Sequence, residues 1–237
     1  MKRFLLVGMI VVLFTSLPLL EGQPGPFAII RTLNMPADTF CMAASKKPVT
    51  LPELAQLVGR YYNLQVMIDQ DGFQRVAPQM DLAKTRMFVP MERGLRLGTV
   101  LHYCLENELP IRATYKMGNQ AIMIYPGETK ITQDEDRTGP MANRLNASVV
   151  LPTKGFNGLL GVALSQLQAR TGLIFLEAKR KFTEAGQEGS ILVKEVSLPA
   201  QGQVPVAKAL HTMLDRANAT YQVKYDHILL VPKKMKR

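Results

Sequence analysis

The sequence predicts an α/β protein of the α+β kind, two tandem small βαββαββ modules joined by a flexible linker. Three observations lead there. The apolar pattern repeats at an offset of 109 residues across about seventy positions. Within each copy, stripes of period 3.6 alternate with short β-branched runs, the marks of amphipathic helices and strands. Each copy then closes on a hairpin pattern that ends at a proline, Pro126 or Pro232.

The elements follow in order. An extended segment opens each copy, Thr39 to Ala43 and Ala147 to Leu151. A helix follows over Leu51 to Tyr62, with Leu51, Leu54, Ala55 and Val58 on one face. Thr50 and Glu53 have the spacing of a capping box, and Pro52 sits in the first turn, where a missing N–H costs nothing. The counterpart helix runs from about Asn157 to Arg170, with Leu160, Ala163, Leu164 and Leu167 on its stripe and Gly172 as its stop. A second strand covers Leu64 to Ile68, or Leu173 to Leu176. A polar excursion leads to a third strand ending at Val89-Pro90, or Leu198-Pro199. The second helix carries Leu97, Val100, Leu101, Cys104 and Leu105, matched by Val206, Ala209, Leu210, Met213 and Leu214. The hairpins are Ile111 to Lys116 with Ala121 to Tyr125, and Thr220 to Tyr225 with Ile228 to Val231. Gly118-Asn119 and the region of Asp226 supply their turns.

Module boundaries follow from composition. Lys2 and Arg3 precede the unbroken apolar run Phe4 to Phe14, which Thr15, Ser16 and Pro18 interrupt. This is the tripartite pattern of a secretory signal over residues 1–22. Reading the apolar stretch through to Leu20 leaves an uncleaved anchor open. Residues 23–37 read as a Pro/Gly spacer, 38–126 as the first module, 127–146 as a linker with Gly139-Pro140, 147–232 as the second module, and 233–237 as a basic tail.

The chain is 47% apolar and 20% charged, with a formal net charge of +10. That excess suits an anionic contact, such as a membrane surface or an acidic polymer. It is too dispersed for nucleic acid, and no aromatic-basic strip accompanies it. Cys41 and Cys104 read either as a disulfide or as two buried apolar side chains. No CxxC, HExxH, P-loop or GxSxG occurs, so no catalytic, cofactor-binding or metal-binding residue is assigned and no cofactor is expected. His102 and His211 fall on equivalent positions and read as boundary residues of a helix face; His227 reads as a turn residue. Asp69 and Asp71 read as turn caps, Asp134 to Asp136 as linker solvation, and the sequons at Asn146 and Asn218 as turn composition. Methionine is frequent, at 13 residues, and reads chiefly as filler of small cores.

The order of elements resembles that of the secretin/TonB short N-terminal domain. The residues that carry the resemblance are Asn63-Leu64 or Gly172-Leu173 opening the second strand, and Leu101/Leu105 or Leu210/Leu214 on the second helix. The closing strand Ile122 to Ile124, or Leu229 to Val231, completes the pattern. The resemblance covers nearly all of residues 38–232, as two copies with no barrel or pore region after them. It implies a non-enzymatic interaction domain of the periplasm or cell envelope, accessory to a secretion or outer-membrane transport complex. It implies a protein partner and leaves oligomerisation open. The other reading is a structural envelope protein that binds an anionic polymer or lipid surface through its basic face.

Overall fold

The computed structural model describes residues 26–118, 121–128, 138–150, 155–198 and 202–233. The signal pattern, the acidic cluster, the tip of the first hairpin and most of the basic tail lie outside these residues. The chain is an α+β protein made of short sheets and helices. Its first half holds α1 (Pro26–Leu33), α2 (Asp38–Ala44), β1 (Val49–Thr50), α3 (Leu51–Tyr62), β2 (Gln65–Ile68), α4 (Gln70–Val76) and β3 (Arg86–Met87). Then come α5 (Leu97–Tyr103), which runs on into a π-helical turn (Cys104–Glu108), and the hairpin β4 (Ala113–Met117) and β5 (Ala121–Pro126). The second half holds α6 (Pro140–Leu145), β6 (Ser148–Val150), β7 (Phe156–Leu159), α7 (Leu160–Thr171), β8 (Phe175–Glu177) and α8 (Lys179–Glu184). A 3₁₀ turn (Ile191–Val193), β9 (Glu195–Leu198), β10 (Gln203–Pro205), α9 (Val206–Arg216), β11 (Ala219–Val223) and β12 (Ile228–Pro232) complete it.

Corresponding strands pair alike in the two halves. β2 lies parallel to β5, and β5 antiparallel to β4. β8, β12 and β11 repeat that arrangement. β1 with β3, and β7 with β9, form the second antiparallel pair of each half at the same offset of 109 residues, Val49↔Met87 against Gly158↔Val196. The hairpins break that offset. Ala113-Thr114-Tyr115 of β4 corresponds to Ala219-Thr220-Tyr221 of β11, a shift of 106. The ungapped overlay therefore stops after Leu105, where the first half carries three more residues. One of them lengthens the helix, which ends in the π-helical turn, and the other two lengthen the connection to β4, 109–112 against 217–218 in the second half.

The helix α3 forms where its sequence signals place it. Glu53 Oε2 accepts the Thr50 N–H at 2.8 Å, and Thr50 Oγ1 accepts the Glu53 N–H at 3.3 Å. Asn63 at φ 50° and Gly172 at φ 68° end α3 and α7 in the left-handed region. Thr50→Ala removes one half of the capping box and is expected to cost about 1 kcal/mol, read from the urea midpoint at unchanged slope.

Several expectations are corrected. Thr39 to Ala43 lies in the helix α2, whose Phe40, Cys41 and Ala44 face the core; only the second copy opens with a strand, β6 on β10. α7 starts at Leu160, because Phe156–Leu159 is held extended against β9. The third strand of the first half stops at Met87, before Val89-Pro90. Both polar excursions contain a helix, α4 and α8. The Pro/Gly spacer contains α1, which buries Ile29 in the core of the first half, and Gly139-Pro140 starts α6 with proline in its first turn.

Candidate functional site

Each three-stranded sheet has an inner face on its own helices and an outer face. In the second half the outer face is consumed within the molecule. Successive residues of β8 point to opposite sides. Phe175 enters the core of the second half, while Ile174 and Leu176, 6% and 4% exposed, join the core of the first. Leu229 packs beside them. A strand buried on both faces is apolar throughout, apart from Glu177, which accepts the Ser190 hydroxyl at 2.6 Å and the Ile191 N–H at 2.7 Å.

Around this seam the second half holds both ends of the helix formed by α5 and its π-helical turn. Arg96, the N-cap residue of α5, offers no side-chain cap of its own. Its N–H donates instead to Asp226 Oδ2 at 2.8 Å, from the turn between β11 and β12. Thr99 Oγ1 donates to the same carboxylate at 2.9 Å, and His227 Nδ1 lies 2.9 Å from Asp226 Oδ1. The Arg96 guanidinium stacks on Tyr225, 3.5 Å from the ring centre. At the other end, Arg180 of α8 donates from Nε to the Glu106 carbonyl at 2.6 Å and from Nη2 to the Leu109 carbonyl. Lys179 Nζ reaches Glu108 Oε1 at 2.6 Å, and Arg112 pairs with Glu184. A carboxylate at the N-terminal end and a guanidinium at the C-terminal end both complement the helix dipole.

Burial works to raise the Asp226 carboxyl. The His227 ring, the Arg96 N–H and the Thr99 hydroxyl outweigh that and hold it below its ordinary value near 3.8. The receiving carbonyls lie in or next to the segment where the first half is three residues longer than the second.

The outer sheet face of the first half is open. The row Leu176–Leu229–Gln222 that faces the seam corresponds to Met67–Met123–Lys116. Met67 is 45% exposed, Gln65 and Lys116 are exposed, and Met123 is half-buried. Lys116 Nζ lies 5.7 Å from the ring centre of Tyr125. Methionine and lysine stems make a surface that adapts to a partner's shape.

His102 Nε2 lies 2.8 Å from Glu106 Oε2, and His211 Nε2 lies 3.2 Å from Asp215 Oδ2, so the repeated histidines form the same i, i+4 contact. His227, read from sequence as a turn residue, is buried in the seam. Asp69 caps α4 through the Gly72 N–H at 2.9 Å, and Asn218 takes a left-handed φ of 55° at the corner between α9 and β11. Cys41 and Cys104 are buried free thiols, and burial pushes Cys41 up to about 12. Among the described residues no group of three or more His, Cys, Asp or Glu is placed to hold a metal ion. No described helix is long and apolar enough to cross a membrane. No family model matches the chain, and no curated protein matches it in sequence.

Proposed function

We propose that this chain is an exported cell-envelope protein whose paired α+β modules dock another protein, as an accessory of a secretin or outer-membrane transport complex. The observation that carries this reading is the unequal use of two equivalent sheet faces. The second half spends its outer face on the first half, whereas the Met67–Met123–Lys116 row faces solvent. A face of the same build is thus left for a partner outside the chain. The edge strands β2 and β4 border it and add main-chain donors and acceptors. The leader pattern and the resemblance to the short N-terminal domain support the compartment and the kind of complex proposed.

The test is cross-linking capture from envelope extracts, comparing the full chain with Met67→Glu. A discrete protein partner retained by the parent and lost by the variant is expected. Capture unchanged by Met67→Glu, or no partner at all, contradicts the reading.

A further inference from the structure

A groove of about 530 Å³ opens where the two halves meet, on the side of the seam that carries Asp226. Three arginines line it from both halves: Arg93 and Arg96 from the loop that ends at the N-cap of α5, and Arg144 from α6 of the other half. Two carboxylates also line it, and both are already engaged. Asp38 Oδ1 accepts the Gly94 N–H at 2.6 Å, and Asp226 takes the Arg96 N–H, the Thr99 hydroxyl and the His227 ring. The guanidiniums keep most of their donors. Arg96 Nη1 donates to Asn34 Oδ1 at 2.9 Å, Arg144 Nη1 to the Gly172 carbonyl, and Arg93 is exposed and takes part in none of these bonds. A guanidinium has five N–H donors in a rigid fork, so each has capacity to spare.

We propose that this groove binds a phosphate group, held between Arg93 and Arg96 of one half and Arg144 of the other. A tetrahedral oxyanion presents acceptors in several directions at once, which suits three guanidiniums arriving from the two halves better than a planar carboxylate does. Clefts between packed units are favoured ligand sites, and this one has the size of a small head group or phosphomonoester. The bound anion bridges the halves, so it stabilises their docked arrangement through binding linkage. The inference stands apart from the open sheet face, and neither depends on the other.

The experiment is titration of the full chain with glycerol phosphate at fixed ionic strength. It runs in parallel with sedimentation on phosphatidylglycerol and phosphatidylcholine vesicles, each for the parent and Arg93→Ala. Among the described residues Arg93 has no hydrogen-bond or ion-pair partner to lose, so the variant is expected to keep the parent's melting temperature. Binding of glycerol phosphate that weakens about tenfold in Arg93→Ala supports the site with a soluble ligand. Binding to the phosphatidylglycerol vesicles alone, weakened likewise, supports it with a lipid head group as the source. No binding in either arm, binding that is unchanged in Arg93→Ala, or equal displacement by chloride overturns it.

Discussion

Asp226→Ala is expected to destabilise the protein by about 3–5 kcal/mol, since it leaves three partners without their acceptor at about 1–3 kcal/mol each. The carboxylate is 7% exposed and gathers donors from both halves. Its removal leaves the Arg96 N–H, the Thr99 hydroxyl and the His227 ring without their acceptor at a largely buried site. The effect is expected on the seam first, seen as loss of hydrogen-exchange protection at Leu97 to Val100 together with β8. Acid has a related signature. The carboxyl is held below its ordinary value near 3.8, so its stabilisation is fully present above that value. It is lost as the pH falls through the lower folded value, and Asp226→Ala is expected to remove that part of the acid sensitivity. Urea titrations of both proteins at neutral pH and below pH 3.8 measure it.

Arg180→Ala attacks the opposite end of the same helix and is expected to cost roughly 2–3 kcal/mol, since charged hydrogen bonds to two carbonyls are lost from a half-exposed site. Lysine at this position keeps the charge but not the fork, so Arg180→Lys is expected to recover only part of the loss. The two substitutions act on one helix and one seam. Their combined cost is therefore expected to fall short of the sum, because either one already loosens the docking that the other depends on. A double-mutant cycle in urea reads this coupling directly, and full additivity would mean that the two contacts hold the helix independently.

The parts legible in the sequence were those fixed by local chemistry. α3 has its capping box, its apolar stripe and a left-handed Asn63, all within fourteen residues, and its bounds agree with the expectation. α2 is not distinguished by local pattern, because Thr39 to Ala43 is a short, mostly apolar run for which strand and helix patterns coincide; the spacing of Phe40, Cys41 and Ala44 fits the helix. α1 was hidden behind Pro24 and Pro26, although Ile29 and Leu33 already stand four residues apart on one face. The shift to 106 is carried in sequence by the matching Ala-Thr-Tyr triplets, which a single offset of 109 does not align.

The seam was beyond local reading. Asp226 meets Arg96 across 130 residues, and Arg180 meets Glu106 across 74. One signal did point to it: β8 and the residue before it read Ile-Phe-Leu-Glu, where β2 reads Gln-Val-Met-Ile. An apolar residue in place of Gln65 is what a strand covered on both sides requires.

The central claim is that one outer sheet face is used inside the molecule and its counterpart is offered outside it. A photo-cross-linking residue placed at Met67, and separately at its repeat counterpart Leu176, tests this in cells that produce the full chain. The account predicts adducts to a second protein from position 67. From position 176 it predicts only intrachain links, to the first half. Intermolecular adducts from both positions, or from 176 alone, would contradict it.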